Sequence, residues 1–286
     1  MKLFLKVVFT TVFALSFFAA QAQKRKQLFP EAPGIVSYTY RKDFQKDMAG
    51  TLDIVKQNGI TDIEFSNLFG RTAEDIRKLL DERGIKCSSF GVNYEDAVEK
   101  TEIVAANAKK LGATYVRVAA IPHKGKFTLE DAKGVVETFN CVGKTLKERY
   151  GLTFIYHNHG FEFEPYEDGT LYDYIVKNTD KRYVSFELDI LWAFFPGHDP
   201  AQLIKRYGKR YKALHLKDLR KGVQGNLSGG TSVENDVVLG TGQIDIPATI
   251  KAAKKAGIKH YYIEDESSSS LTQVPLSIAY LKGLEK

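Results

Sequence analysis

Two histidines and a glutamate stand close together in the stretch YHNHGFEF at 156–163. His157 and His159 alternate within an apolar, strand-like run, and Glu162 follows just beyond it. An imidazole titrates near neutral pH and also binds metals, so this pattern suits proton transfer or metal ligation. Polar residues at a strand end also form caps and ion pairs. Taken alone, the stretch leaves both interpretations open.

Similar polar groups end three later strand-like runs. Glu187 and Asp189 end the first, His215 and Lys217 the second, and Glu264 the third. Successive side chains alternate across a strand, so each of the two pairs shares one face. On a helix-facing side these groups would be buried without partners, at a cost of several kcal/mol each. We therefore expect all of them to point into one polar interior.

Imidazoles and carboxylates that converge from four strand ends form a mixed nitrogen and oxygen ligand set. Such a set suits Mn²⁺, Zn²⁺, Co²⁺ or Fe²⁺, and no thiolate accompanies it here. A divalent cation held there would polarise a carbonyl or stabilise an enediolate. The four strand ends together predict a metal site.

Eight apolar runs bounded by turn residues supply the strands that must position these side chains. They span 34–40, 60–66, 85–91, 115–121, 152–158, 183–189, 211–217 and 260–264. Amphipathic segments separate them, with helix-start signals at Thr72, Thr128 and Asp199-Pro200. This alternation predicts an α/β fold, a single (β/α)8 TIM barrel over 34–286, with its active site at the carboxyl ends of the strands.

One region, 219–245, contains six glycines and shows no helical period. A loop that long in a compact domain is usually functional or disordered. Within it, Gly240-Thr241-Gly242 has a form that could approach a phosphate, but a lone Gly-x-Gly is weak evidence and an ordinary turn is the preferred interpretation.

The amino-terminal segment 1–22 has the form of a signal peptide. Lys2 and Lys6 precede an apolar run that ends in the small-x-small sequence AQA at 20–22. The run is interrupted by polar residues and is shorter than the roughly 20 residues that span a bilayer. We expect cleavage after Ala22, export to the periplasm, no membrane span in the mature chain, and an amino-terminal extension over 23–33.

The charge balance argues against a nucleic-acid partner. The net charge is +6, and it falls to +4 when the segment 1–22 is removed, because that segment holds two lysines and no acids. The cluster Lys24-Arg25-Lys26 is typical of a solvated tail, so no basic binding stripe is indicated. Cys87 and Cys141 allow one disulfide, which the sequence does not decide.

Five motifs carry a resemblance to the xylose isomerase-like barrel superfamily, in the sugar phosphate isomerase/epimerase group. They are YHNHGFEF at 156–163, ELD at 187–189, HLKD at 215–218, LGTGQID at 239–245 and IE at 263–264. The resemblance implies one divalent metal ion (Mn, Zn, Co or Fe), with Asp189, His215 and Glu264 on the ligand positions of strands six, seven and eight.

The chain departs from the epimerase branch on strand five, where that branch carries a glutamate and this chain has His157. Either His157 binds the cation, or Glu162 reaches in as the ligand and leaves His157 and His159 for proton transfer. We prefer Glu162, because a carboxylate preserves the charge balance on the cation. Glu264 is also a candidate acid or base.

Further residues are candidates for substrate contacts. Lys217 would stabilise an oxyanion or hold a hydroxyl, or else form a salt bridge inside the barrel to Glu187 or Asp189. Trp192, the only tryptophan, would stack on a sugar face. Glu64 and Arg117 are candidates for binding substrate hydroxyls.

These features predict an exported, metal-dependent carbohydrate enzyme of the isomerase/epimerase type that works through a metal-bound enediolate. A lyase or dehydratase acting on keto-sugars or 3-keto-glycosides fits the histidines better than a two-base epimerase. The alternative is a secreted, non-catalytic carbohydrate-binding barrel. The sequence leaves the sugar, the metal and the oligomeric state open, a homo-oligomer included.

Overall fold

The computed structural model describes residues 27–29 and 32–285, so the expected signal peptide and the basic tail lie outside the described residues. Eight parallel strands form a closed barrel, which confirms the predicted (β/α)8 architecture. Each predicted strand contributes one barrel strand. They are β1 Gly34–Val36, β2 Asp62–Phe65, β3 Lys86–Val92, β4 Tyr115–Val118, β5 Thr153–His157, β6 Val184–Asp189, β7 Tyr211–Leu216 and β8 His260–Ile263.

Helices surround the barrel and begin at the predicted caps. Thr72 Oγ1 accepts a hydrogen bond from Asp75 N at 3.1 Å, and Thr128 forms a capping box with Asp131. The helices are α1 Arg41–Lys46, α2 Met48–Gln57, α3 Ala73–Arg83, α4 Tyr94–Glu99, α5 Thr101–Leu111, α6 Leu129–Tyr150, α7 Leu171–Asn178, α8 Ile190–Phe194, α9 Pro200–Tyr207, α10 Ile246–Ala256 and α11 Ser270–Gly283.

The apolar core lies between the strands and the helices. Outward-facing strand residues such as Phe154, Tyr156 and Phe186 are buried there against helix residues such as Phe139. The alternate residues of the same strands face the barrel interior and are largely polar at its upper end. The burial of one apolar face therefore directs the polar face toward the mouth.

Residues 27–29, the first described part of the amino-terminal extension, pack on the end of the barrel opposite the mouth. Leu28 N donates to Leu284 O at 2.7 Å, and the rings of Phe29 and Tyr261 meet at 5.0 Å. Within the described part of the chain, no helix is long and apolar enough to cross a membrane. Both cysteines are free, with Cys87 buried and Cys141 exposed.

The loop 219–245 is anchored to the top of β7 by Asp218. The carboxylate of Asp218 accepts backbone N–H bonds from Gly240 at 2.9 Å, Gly242 at 3.0 Å and Ile244 at 3.1 Å. A Cβ at Gly242 would lie 2.3 Å from that carboxylate. The Gly-x-Gly amides thus bind a carboxylate of the chain itself, which makes this motif a turn rather than a phosphate site.

Candidate metal centre

Four buried side chains meet at the mouth of the barrel: His157, Asp189, His215 and Glu264. Each offers one nitrogen or oxygen atom, and these atoms all lie within 4.8 Å of one another. His157 ends β5, Asp189 ends β6, His215 lies on β7, and Glu264 directly follows β8. We call these four residues the metal cluster.

His215 is held from both sides of its ring. Nδ1 lies 3.0 Å from Glu264 Oε2, and Nε2 lies 3.0 Å from Glu64 Oε1 and 3.1 Å from Glu187 Oε2. Burial alone lowers the pKa of His215, but Glu187 and Glu264 outweigh it and hold the pKa well above its ordinary value. The ring orientation is therefore set by carboxylates before any ligand binds.

Asp189 is fixed by the end of its own strand and by a neighbouring amide. Its Oδ1 accepts from Trp192 N at 2.9 Å, which caps α8. Asn158 Oδ1 accepts from Asp189 N at 3.0 Å, and Asn158 Nδ2 donates to Asp189 O at 3.2 Å. Asn158 thus ties β5 to β6, a role that the sequence pattern did not reveal. Asp189 Oδ2 points to His157 Nε2, 3.4 Å away.

Several buried polar atoms in and beneath the metal cluster have no hydrogen-bond partner among the described residues. They are both ring nitrogens of His157, Oδ2 of Asp189 and both carboxylate oxygens of Glu187, although Glu187 Oε2 lies 3.1 Å from His215 Nε2 and Asp189 Oδ2 lies 3.4 Å from His157 Nε2. Leaving one such atom unsatisfied costs about 1–3 kcal/mol. Burial raises the pKa of Asp189 to about 6 and that of Glu187 to about 7.

A divalent cation would relieve part of this unfavourable state, because it would bind one ring nitrogen of His157 and Oδ2 of Asp189 and would offset the buried negative charge. Two imidazoles and two carboxylates form a donor set that suits Mn²⁺, Fe²⁺, Co²⁺ or Zn²⁺. The residues present therefore fit a metal ion.

Glu162 is not brought to the metal cluster. Its carboxylate accepts the backbone N–H of His159 at 2.9 Å and the hydroxyl of Tyr156, and it is fully buried. Burial raises the pKa of Glu162 to about 7. Glu162 clamps the turn after β5, so the geometry favours His157 over Glu162 as the fourth ligand, the reverse of our preference from sequence.

His159 lies beside the cluster and lines the cavity above it. Its ring stacks on Phe161 at 5.9 Å and lies 5.9 Å from the Trp192 ring, while its Nδ1 has no partner among the described residues. Burial, together with His157, lowers the pKa of His159 to about 3. The imidazole is therefore neutral at physiological pH.

Lys217 is enclosed by carboxylates on the far side of Glu264. Its Nζ lies 2.5 Å from Glu266, 3.5 Å from Glu264 and 3.7 Å from Asp236. It also lies 5.5 Å from the Trp192 ring centre. The expected salt bridge exists, but to these three acids instead of Glu187 or Asp189. The sequence did not indicate a role for Asp236 or Glu266, because each lies in a loop and reaches the site only through its ion pair with Lys217.

Glu64 and Arg117 form a buried pair beneath the cluster. Arg117 Nε donates to Glu64 Oε1 at 2.9 Å, and Ser89 Oγ donates to Glu64 Oε2 at 2.5 Å. A Cβ at Gly91 would lie 2.6 Å from Arg117 Nη2, so the guanidinium needs a glycine there. Arg117 reaches the cavity, whereas Glu64 is not part of its lining and instead contacts His215.

The cavity above the cluster measures about 470 Å³. His157, His159, His215 and Glu264 form its floor, and Trp192 is part of its wall. Residues 229–233 of the loop 219–245 line it as well. A volume in this range is typical of a small-molecule site.

The chain belongs to the xylose isomerase-like TIM barrel family, which matches it over residues 52–284. An inosose dehydratase from Clostridium perfringens is 24% identical over 77% of this chain and 82% of that protein. A solved sugar phosphate isomerase/epimerase from Parabacteroides distasonis has a TM-score of 0.74 and 24% identity, and covers 87% of this chain and 97% of its own. The IOLI protein, solved with a bound zinc atom, has a TM-score of 0.68 and 16% identity, with 88% and 95% covered. At such identities these two structures show the fold alone.

Proposed function

We propose that this chain is an exported, divalent-metal-dependent carbohydrate enzyme that moves a proton next to a carbonyl group. One observation carries the proposal: two imidazoles and two carboxylates converge, all buried, beside a cavity that three of them line, and atoms of His157 and Asp189 have no hydrogen-bond partner among the described residues. The similarity to an inosose dehydratase and to a sugar phosphate isomerase/epimerase supports a carbohydrate as the substrate.

His157, Asp189, His215 and Glu264 would hold the cation. Bound there, it would act as a Lewis acid toward the carbonyl oxygen of the substrate. Glu64 and Glu187 keep His215 in place, and Lys217 orients Glu264.

In this arrangement, His159 is the residue that would transfer the proton. It lines the cavity, is neutral, and has a ring nitrogen without a partner among the described residues. Glu162 fixes the His159 backbone through its N–H, so the ring position is set by the turn. Arg117 is the cavity-lining guanidinium and would donate to a substrate hydroxyl, while Trp192 supplies an apolar wall.

Elimination suits this set of groups better than epimerisation. An epimerase needs proton-carrying groups on both faces of one carbon, and with His157 on the cation one partnerless cavity-lining imidazole, His159, remains among the described residues. A dehydratase needs one base and an acid for the departing hydroxyl, and the cavity lining includes Asp236, whose pKa is raised to about 7 by burial. We therefore favour a lyase on keto-sugars, with isomerisation or epimerisation as the competing outcome.

Metal analysis of the mature chain 23–286 tests the central part of the proposal. We expect about one equivalent of Mn, Zn, Co or Fe per chain, and its loss in Asp189→Ala and His215→Ala. Glu162→Gln should keep the metal, whereas His157→Ala should bind it more weakly. A folded parent protein that binds none of these metals would refute the proposal.

An assay with keto-sugars in D₂O distinguishes the possible reaction types. Elimination releases water and gives an unsaturated ketone that is detected by its ultraviolet absorbance. Epimerisation or isomerisation exchanges a carbon-bound proton for deuterium without loss of water, which NMR detects. His159→Ala should abolish either signal while the metal content is unchanged. Cell fractionation and an amino terminus at Gln23 test the proposed export.

A further inference from the structure

The side chains of the cavity lining offer no free positive charge to an anionic ligand. Three acids, Asp236, Glu264 and Glu266, line it, against one guanidinium, that of Arg117. Arg117 is already paired with Glu64 at 2.9 Å, and the nearby Lys217 is enclosed by the same three acids. Among the described residues, no cationic side chain of the lining is without a carboxylate partner, so an anionic group would be drawn to the proposed divalent cation on the floor. The rim, away from that cation, suits an uncharged group.

The rim of the cavity exposes apolar surface. Tyr38, just after β1, is 38% exposed, and Val233, in the loop 219–245, is 39% exposed, although both are large and hydrophobic. Arg41 contacts Tyr38 through both its ring and its backbone. Its guanidinium lies 4.4 Å from the ring centre, and its Nη1 donates to Tyr38 O at 3.0 Å. An aromatic ring fixed in this way at a cavity mouth is suited to stack on an apolar ring face.

Uncharged hydrogen-bonding groups stand next to this apolar surface. Asn67 and Asn93 follow β2 and β3 and line the same cavity, together with Ser66. Each asparagine uses its side-chain oxygen to cap a turn, with Phe69 N at 2.6 Å from Asn67 and Asp96 N at 2.7 Å from Asn93. The side-chain NH₂ groups of both asparagines remain available to a ligand.

We propose that Tyr38, Ser66, Asn67, Asn93 and Val233 form a rim subsite for the second ring of an uncharged glycoside. The first ring lies over the metal cluster, and the ring attached through the glycosidic oxygen stacks on Tyr38. The apolar rim and the amide donors suit a neutral second ring, and no cationic side chain of the described cavity lining is left without a partner to bind a phosphate there. This inference rests on the proposed carbohydrate function and names its substrate class.

Binding to ligands that lack the ketone tests the subsite separately from catalysis. We expect the mature, metal-loaded chain to bind 4-nitrophenyl glucoside, in one anomer or the other, more tightly than glucose, by calorimetry. Tyr38→Ala should weaken 4-nitrophenyl glucoside binding about three- to tenfold and leave glucose binding unchanged. Tyr38→Phe should retain binding, because it keeps the ring.

Leu276→Ala, which trims an exposed hydrophobic residue outside the cavity lining, should change nothing. Equal binding of glucose and both nitrophenyl anomers, or an equal loss for all ligands in Tyr38→Ala, would each overturn the subsite. Metal content is measured on the same samples. A chain with metal and keto-sugar turnover but without the ring preference refutes the subsite alone, whereas a chain without metal refutes the proposed function.

Discussion

Both ends of the barrel carry a histidine paired with a carboxylate at almost the same distance. At the mouth, His215 Nδ1 lies 3.0 Å from Glu264, and their side chains are 2% and 9% exposed. At the opposite end, His260 Nδ1 lies 2.9 Å from Asp62, and these side chains are 25% and 27% exposed. The two pairs use the same residue types and differ in their surroundings.

The pair at the lower end has further bonding partners. Asp62 also accepts the hydroxyl of Ser88, whose Oγ lies 2.6 Å from Tyr262 Oη, and the His260 ring stacks on Tyr262. At the mouth, by contrast, buried atoms of His157, Asp189 and Glu187 make no hydrogen bond to any residue that the structure describes. A histidine–carboxylate pair is thus no sign of function by itself. Burial combined with unmet bonding capacity is what distinguishes the mouth, where such barrels place their chemistry.

The largest contrast should come from two lysines at opposite ends of the same strand. Lys217→Met removes the ammonium group that pairs with three buried or half-buried acids. We expect a loss of about 3–5 kcal/mol in the free energy of unfolding. Lys212→Met, at the lower end, should change it by about 0.5 kcal/mol or less. Urea denaturation of the metal-stripped mature chain measures both. Equal effects of the two substitutions on the free energy of unfolding would show that Lys217 does not stabilise the acids at the mouth.

Metal affinity should separate the two histidines. We expect His215→Gln to weaken metal binding by more than about a hundredfold, because it removes a ligand. His260→Gln should leave the affinity unchanged, since that ring contacts Asp62 and Tyr262 at the far end. Competition with a chromogenic chelator measures both constants. A comparable loss in the two variants would place the cation elsewhere or point to global unfolding.

The stability of the metal-stripped chain should depend on pH through Glu187. Burial raises its pKa from 4.5 to about 7 in the folded state, so the folded chain binds more protons than the unfolded chain between these values. Stability therefore falls as the pH rises through this window. We expect Glu187→Gln to be more stable than the parent by about 1–3 kcal/mol at pH 8 and equal to it near pH 4. Parallel pH profiles of the two proteins in urea denaturation would contradict this.

The smallest effect should follow from Asp62→Asn at the lower end. The pair with His260 is partly exposed, so its contribution is limited by solvent, and we expect a loss of about 1 kcal/mol or less. Metal content should be that of the parent. Thermal unfolding and metal analysis of the same sample check both points, and a loss of metal would mean that the two ends are coupled.

Much of the architecture was predictable from local patterns. The eight strands, the helix caps at Thr72 and Thr128, and the inward face shared by Glu187 and Asp189 follow from periodicity and capping chemistry, which act within a few residues. The convergence of Asp189, His215 and Glu264 also follows, because parallel strands of a barrel end at one mouth.

The partners of individual polar groups were not predictable in this way. Glu162 looked suited to reach the cation, yet in the folded chain its nearest donors are the Tyr156 hydroxyl and the His159 amide. Asn158 lies between two histidines and ties β5 to β6. Lys217 binds Asp236, Glu264 and Glu266 instead of the acids nearer in its own pattern.

The sequence by itself determined which residues form strands and helices, and which side chains face the barrel interior, because those properties depend on the backbone within each element. Tertiary structure decided which of the inward-facing groups pair and which remain unsatisfied. His215 contacts Glu64, far away along the chain, only because the barrel closes. The choice between His157 and Glu162 depends on distances of this kind between strands and turns, and no local pattern contains them.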